Sequence, residues 1–309
     1  GGVGGNGGSG GNGAAGSAGT DGIANSHDGT AGGDGGSGGT VGSHGANGAG
    51  GAGGTGSGAA GNGAVGGPDG LTILGSSTGL GNSVYSGSAS YAGLNGQSYS
   101  YHTYDTTVGF CDKIACTSGL VTDPTAVNIV DPASNTLMTN YFNQYGIVGV
   151  LGIGPNNGYA GTSTIISALP GVLNQGVLID EQTGQVTFGP NPLTPEVSVP
   201  GSPFVDTMVS INGGPPVAVS TSLDSGGMYG SIPQYLVPSL GVGSQVPAGT
   251  VISVYNADGS TLLYSYTTTN NGPYVTSGGA ANSGYYPFSV NPVYIDYRPS
   301  GFGATIINR

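Results

Sequence analysis

Leu223-Asp224-Ser225-Gly226-Gly227 is the stretch of this chain that says most about its fold. It follows the run from Pro216 to Leu223, in which apolar and small polar residues alternate with the period of two that is typical of a strand. A strand with this ending places the Asp224 carboxylate at a tight turn, where glycine lets the backbone approach closely. Asp-Ser-Gly alone also fits an ordinary turn, so other parts of the chain have to distinguish the two interpretations.

The composition excludes some classes of protein. Glycine accounts for 67 of 309 residues, and three Lys and Arg stand against fifteen Asp and Glu, for a formal net charge of −12. So few cations cannot neutralise phosphates, which argues against a nucleic-acid partner. No apolar run approaches the roughly 18 residues that a transmembrane segment needs. The chain opens on glycines, so we expect any export signal to lie outside this sequence.

Two segments differ in composition. Residues 1–67 are low-complexity Gly-Gly-Xaa repeats with almost no large apolar side chain, which cannot build a conventional core. This segment is either a flexible coil or a stack of polyglycine-II-like strands. Residues 68–309 are rich in Val, Ile, Thr and Tyr between clusters of Gly, Pro, Asn and Asp, which predicts an all-β body. About 240 residues are enough for a core of two sheets or two lobes.

Short runs within this body predict its individual strands. The clearest are residues 98–110, 126–130, 146–153, 176–179, 185–188, 204–211, 251–255 and 293–297. Helical periodicity is nearly absent, and only residues 162–169 and 233–236 favour short helices.

One pattern occurs twice in the β body. In the second half, Gly213-Gly214-Pro215 leads through a strand to Asp224 and its glycines. In the first half, Gly66-Gly67-Pro68 leads through Leu71-Thr72-Ile73-Leu74 to a loop of Gly, Ser and Thr that ends at Leu80. This layout predicts two related lobes, each of which places a loop at a central cleft. The first copy has no aspartate where the second has Asp224.

These features resemble the glycine-rich PE_PGRS proteins of mycobacteria whose C-terminal domain is a pepsin-like aspartic protease. The resemblance covers about Val65 to Arg309, and the repeats match the family's repeat region. It implies an all-β, bilobal pepsin-like fold with a first lobe at about 68–195, which could be truncated, and a second at about 196–309. The runs that carry the resemblance are residues 146–155, 168–181, 188–192, 224–227 and 292–297.

The resemblance implies which residues form the catalytic site. Asp224-Ser225-Gly226 matches the aspartate motif of the second lobe. In the first lobe the family carries Asp-Thr-Gly-Ser-Thr-Gly-Leu. Ser77-Thr78-Gly79-Leu80 match its last four residues, but Leu74-Gly75-Ser76 replace its Asp-Thr-Gly. Asp69 is the nearest carboxylate and the candidate partner of Asp224, although its Gly-Pro-Asp-Gly context also fits a turn.

Other residues have possible roles by position. Tyr91 is the candidate for the flap tyrosine that closes over the substrate in pepsin-like enzymes. Tyr99 and Tyr101 favour cross-strand aromatic packing instead.

Cys111 and Cys116 flank four residues and could close a small loop, or they could be two free thiols. Export, which the resemblance implies, favours the disulfide. With no other cysteine and only three histidines, the sequence argues against a zinc site.

The resemblance also implies a chemistry. Aspartic peptidases use two carboxylates that share one proton and activate a water against a peptide bond, without a metal or cofactor. One aspartate cannot supply both roles. We therefore consider three functions. The chain could be an aspartic endopeptidase acting on a peptide or protein substrate, or a catalytically degenerate pepsin-like module with a binding or structural role. It could also be a polypeptide that acts mainly through its glycine-rich spacer. In each case we expect a secreted protein of the mycobacterial cell surface, associated with the cell envelope.

Overall fold

The computed structural model describes the β body with some gaps. The described residues are 71–73, 75, 77–91, 97–110, 120–131, 149–155, 164–298 and 302–308. Residues 1–67, Asp69 and both cysteines lie outside these ranges, so the predictions made for them stay predictions. In the described ranges no helix has both the length and the apolar composition to cross a membrane.

The first half of the described chain is built from short strands. The predicted strand 98–110 is divided in two near Val108. The Val108 N–H donates to the Thr122 hydroxyl at 2.9 Å, and the Thr122 N–H donates to the Val108 carbonyl oxygen at 3.0 Å. Two 3-10 helices, Ile165–Ala168 and Gly171–Gln175, precede β8, and the first lies within the predicted helix 162–169. The strands are β1 Leu71–Ile73, β2 Tyr85–Tyr91, β3 Gln97–Thr106, β4 Gly109–Phe110, β5 Leu120–Val121, β6 Thr125–Val130, β7 Gly149–Leu151, β8 Gly176–Asp180 and β9 Gln185–Phe188.

The described part of the second half contains ten further strands. A 3-10 helix over Gln234–Leu236 matches the predicted turn of helix, and one short α-helix, α1, covers Tyr286–Val290. The strands are β10 Pro195–Pro200, β11 Phe204–Ile211, β12 Val217–Ser222, β13 Ser231–Pro233, β14 Val251–Asn256, β15 Leu262–Thr267, β16 Tyr274–Thr276, β17 Ala280–Asn282, β18 Val293–Asp296 and β19 Ala304–Asn308. The predicted all-β class is confirmed.

Three sheets organise these strands. The first has the order β2-β3-β6-β1-β7, and the largest has the order β15-β14-β11-β12-β17-β13-β16. A third sheet has five strands in the order β10-β19-β18-β8-β9, and these strands come from both halves of the chain. Strands β4 and β5 form a separate pair. Among the described residues, each half therefore has its own multi-stranded sheet, and a further five-stranded sheet joins the two halves.

The main core lies against the largest sheet and the joining sheet. Its fully or almost fully buried side chains include Val205, Ile252, Leu263, Val293 and Ile307. Each such side chain stabilises the folded state by roughly 1.5–3 kcal/mol through burial. Strand β12 contributes to the same core and is held between β11 and β17. This arrangement fixes the position of the chain that follows β12.

Candidate active site

Asp224 lies in a buried turn directly after β12. Leu223 continues the strand by donating its N–H to Pro203 at 2.8 Å, and its side chain packs into the main core. The Gly227 N–H then donates to the Asp224 carbonyl oxygen at 3.0 Å, which closes the turn. The Asp224 side chain is only 3% exposed. The turn predicted from the sequence is thus present, and it lies inside the protein.

The Asp224 carboxylate accepts hydrogen bonds on both oxygens. Gly226 N–H donates to Oδ1 at 3.1 Å, and the side-chain amide of Asn282 donates to Oδ2 at 2.8 Å. Asn282 is fixed in turn, because its Oδ1 accepts the Gly284 N–H at 2.8 Å. The backbone N–H of Asp224 donates to the Ser283 hydroxyl at 3.1 Å. The segment around β17 therefore determines how the carboxylate is oriented.

Gly227 makes room for this arrangement. A Cβ atom at position 227 would lie 2.5 Å from Asn282 Oδ1 and 3.0 Å from Asp224 Oδ2. The first distance is shorter than real Cβ contacts allow, and Asn282 is held on both sides. The second glycine of the motif is therefore required so that the amide can reach the carboxylate.

Burial controls the protonation of Asp224. It raises the pKa of the carboxyl group from the ordinary 3.8 to about 7, and the hydrogen bonds from Asn282 and Gly226 offset only part of this effect. No charged side chain of the described residues is among the causes. Asp224 is consequently protonated and neutral throughout the acidic range.

The first half of the chain repeats this frame without the carboxylate. In the second half Ser222 stands opposite Asn282 in the parallel pair of β12 and β17, and Asp224 follows two residues later. In the first half Thr72 stands opposite Asn128 in the parallel pair of β1 and β6. The residue two positions after Thr72 is Leu74. The sequence therefore has a leucine, two residues after the strand residue that stands opposite the asparagine, where the second half has Asp224.

The two asparagines also have different partners. Asn128 donates its side-chain amide to the Thr72 hydroxyl at 3.3 Å and accepts a hydrogen bond from the Thr103 hydroxyl at 2.7 Å. Asn282 instead donates to a carboxylate. The first frame is therefore completed by hydroxyl groups, and the second by an ionisable group.

The remaining predicted residues have varied positions. Ser225 is half-buried in the turn. Tyr91 is the last residue of β2 and pairs with Gln97 at the start of β3, as a hairpin position requires, but its side chain lies outside the described part of the structure. Tyr99 and Tyr101 are buried in β3, and the Tyr101 ring contacts that of Tyr85 across the β2–β3 pair, with centroids 6.3 Å apart. The roles proposed for Ser225 and Tyr91 remain predictions.

Sequence analysis missed Asn282. The segment Ala280–Asn282 consists of small and polar residues without apolar alternation, and it pairs with β12 from almost 60 residues away. The equivalent Asn128 in the other half was the signal that could have identified it, because both asparagines lie on the parallel partner of a repeated strand.

Comparison with known proteins agrees with this architecture. Residues 58–305 match the family described as the PE-PGRS C-terminal aspartyl peptidase-like domain. PE cleavage protein A of Mycobacterium tuberculosis (strain CDC 1551 / Oshkosh) is 43% identical over 265 residues, which is 79% of this chain and 44% of that protein. PE cleavage protein A of Mycobacterium marinum (strain ATCC BAA-535 / M) is 38% identical over 264 residues, with the same coverage. The chain thus spans less than half the length of these relatives.

A solved structure shows the same fold. Basic 7S globulin from soybean superposes with a TM-score of 0.52 at 11% identity, covering 79% of this chain and 86% of the globulin. This likeness concerns the fold alone, and it confirms the predicted bilobal pepsin-like architecture. The length of the family match and the identity to the mycobacterial relatives confirm the predicted resemblance as well. The chain belongs to the family of PE-PGRS C-terminal aspartyl peptidase-like domains.

Proposed function

We propose that this domain binds a peptide segment of a protein partner beside Asp224 and hydrolyses it little or not at all. The observation that carries the proposal is the repeated frame: Thr72 stands opposite Asn128 as Ser222 stands opposite Asn282, and two residues later the sequence has Leu74 in the first half and Asp224 in the second. The turn around Asp224 supports binding, because its neutral carboxyl group can donate a hydrogen bond to a peptide carbonyl. The fold positions Asp224 to bind a peptide, and the second carboxylate needed for hydrolysis has been replaced.

The chemistry of a single carboxyl group explains the expected loss of hydrolysis. The reaction requires one group to accept a proton from the attacking water while another donates to the carbonyl oxygen. Below its pKa of about 7, Asp224 keeps its proton and cannot act as the base. Above that pKa it is a base without an acid partner. Loss of one member of a catalytic unit costs on the order of 10³-fold or more in rate.

The names of the relatives support one class of protein partner for this chain. Their name, PE cleavage protein A, describes proteins that cleave PE proteins. Segments of PE proteins are therefore the first ligands to test with this chain. The resemblance to PE_PGRS proteins is the reason to propose a secreted location at the cell envelope, and fractionation of cells that express the native protein would test it.

An aspartic endopeptidase is the second candidate function. The hydrogen bonds that orient the Asp224 carboxylate, and the relatives' name, favour it. This function needs a second carboxylate, for which Asp69 is the candidate. It predicts acid-favoured hydrolysis that a statine-like hydroxyl inhibitor blocks and Asp224→Asn abolishes.

One experiment separates the two functions. Unstructured peptides from PE proteins are incubated at about pH 5 with the wild-type chain, with Asp224→Ala and with the control Asp206→Asn, whose carboxylate is exposed on β11. We expect binding by fluorescence anisotropy, no cleavage by mass spectrometry, and about threefold to tenfold weaker binding for Asp224→Ala only, because one hydrogen bond is lost. Turnover that disappears in Asp224→Ala would establish the endopeptidase instead.

A further inference from the structure

Five tyrosines in the second half of the chain form a column of neighbouring rings. The closest two are Tyr266 and Tyr286, with ring centroids 3.7 Å apart and planes within 9° of parallel. Tyr285 stacks on Tyr286 at 4.7 Å. The outer members are Tyr229, whose ring meets Tyr285 edge-on at 6.4 Å, and Tyr264, whose ring lies 6.4 Å from Tyr266. Side chains from three separate segments therefore meet in one column.

The central pair is closer than most aromatic pairs. Aromatic rings prefer offset or edge-to-face arrangements with centroids roughly 4.5–7 Å apart, because their faces carry the same partial charge. Nearly parallel planes at 3.7 Å leave room for only a small offset between the rings of Tyr266 and Tyr286. Carbon atoms of the two rings consequently face each other at about 3.5–4 Å, the contact distance of non-bonded carbons.

The column extends from solvent into the interior. Tyr229, Tyr285 and Tyr266 are half-buried, whereas Tyr286 and Tyr264 are buried. A large oxidant therefore reaches the outer rings but not Tyr286 itself. Rings in contact exchange electrons readily, so an oxidation that begins at Tyr229 or Tyr285 can move inward to the central pair.

The phenol groups of the central pair are neutral before oxidation. Burial raises the pKa of Tyr266 well above the ordinary 10.0, and the neighbouring phenols raise it further. Burial also raises the pKa of Tyr286. The Tyr286 hydroxyl donates to the Asn271 carbonyl oxygen at 3.4 Å, and Asn271 lies in an exposed loop. A phenol that loses an electron also loses its proton, and this contact leads that proton towards solvent.

The central pair connects two different elements of the fold. Tyr266 is on β15, an edge strand of the largest sheet, and Tyr286 is the first residue of α1. The adjacent Tyr285 donates its N–H at 2.9 Å to the carbonyl oxygen of Met228, whose φ of +47° lies in the left-handed region. Met228 belongs to the loop that follows the Asp224 turn. A covalent bond within the pair would thus fasten the segment that supports this loop to the edge of the sheet.

We propose that Tyr266 and Tyr286 are an oxidative cross-linking site, at which a haem peroxidase with hydrogen peroxide joins the two rings as dityrosine. Each tyrosine loses one electron and its phenolic proton, and hydrogen peroxide takes up both electrons and both protons to give two water molecules. The two phenoxyl radicals then form a carbon–carbon bond between positions ortho to the oxygens. The two ortho hydrogens move to the oxygens and restore the phenols, so the product is lighter by two hydrogen atoms.

Peroxidase treatment of the dilute, monomeric protein tests the site. The products are followed by dityrosine fluorescence and by tandem mass spectrometry of elastase peptides, which assigns the two joined residues. Tyr266→Phe and Tyr286→Phe keep the stacked rings but cannot form a phenoxyl radical. Tyr274→Phe is the control, because Tyr274 is an exposed tyrosine on β16, outside the column.

We expect a cross-link between residues 266 and 286 within one molecule of the wild type and of Tyr274→Phe, and its loss in Tyr266→Phe and Tyr286→Phe. The cross-linked wild type should also unfold at a higher urea concentration than the untreated protein, because the new bond constrains the unfolded chain. Dityrosine that joins other residues or separate molecules, with no product between 266 and 286, would overturn the proposal. An unchanged urea midpoint after cross-linking would overturn the claim that the bond fastens this segment.

Discussion

Replacing Asp224 with asparagine should remove the pH dependence of stability that arises at this site. Because burial raises the pKa of Asp224 to about 7 from 3.8, the folded protein holds this proton more tightly than the unfolded chain does. Below about pH 4 both states are protonated and the site has no cost. As the pH rises towards 7 the unfolded chain ionises first, so the folded state loses stability, and above 7 the cost stays constant.

The magnitude follows from the difference between the two pKa values. Each pKa unit corresponds to about 1.4 kcal/mol, so the wild type loses about 4 kcal/mol at this site between acidic and alkaline pH. About 2 kcal/mol of this loss falls between pH 5 and pH 7. Asparagine does not ionise, but its NH₂ group is a donor and would face another donor, either the Gly226 N–H or the Asn282 amide. The lost hydrogen bond costs about 1 kcal/mol at every pH.

The assay is urea unfolding of the wild type and Asp224→Asn at about pH 5, 6, 7 and 8. This range stays above the sequence pI of about 4.1, where low net charge favours precipitation. We expect Asp224→Asn to gain about 3 kcal/mol relative to the wild type between pH 5 and pH 8. The matched variant Asp206→Asn removes one exposed carboxylate from β11 and controls for the loss of a negative charge. An Asp224→Asn difference that stays constant across these pH values would refute the reasoning.

Two further predictions concern stability. Gly227→Ala should lower the free energy of unfolding by about 1–3 kcal/mol, because its Cβ would overlap Asn282. The control Gly241→Ala has nothing within 4 Å of its added Cβ, so it should change the free energy of unfolding by less than about 0.5 kcal/mol. Urea unfolding measures both, and equal effects would contradict the packing argument. Cys111 and Cys116 should be oxidised in exported protein and contribute roughly 2 kcal/mol, and two free thiols on titration under denaturing, non-reducing conditions would disprove this.

Local sequence patterns predicted much of the fold. The runs 185–188 and 204–211 coincide with β9 and β11, because alternation of β-branched residues is a local signal. The turn at Asp224 was also local, since glycines and a carboxylate follow a strand directly. Leu74 was identified through the repeated motif, and the pairing of Thr72 with Asn128 repeats that of Ser222 with Asn282.

Non-local features could not be predicted in this way. The pairing of Asn282 with Asp224 depends on a parallel strand contact between distant segments, and small residues give β17 no pattern of its own. The raised pKa of Asp224 depends on burial by several elements together. The positive φ of Met228 is imposed by the packing of one loop on another, and a methionine gives no signal for it. Each of these features exists only once the lobes have folded.

Restoring the first-lobe motif tests the central claim most directly. The variant Leu74→Asp with Gly75→Thr and Ser76→Gly rebuilds Asp-Thr-Gly in front of Ser77. Hydrolysis of an unstructured peptide is then measured at about pH 5 for the wild type, for this variant, and for this variant with Asp224→Asn. We predict negligible hydrolysis by the wild type, a rate on the order of 10³-fold higher for the restored variant, and loss of that gain with Asp224→Asn. Hydrolysis by the wild type at the restored variant's rate would contradict the claim that this domain lacks peptidase activity because the first-lobe aspartate is missing.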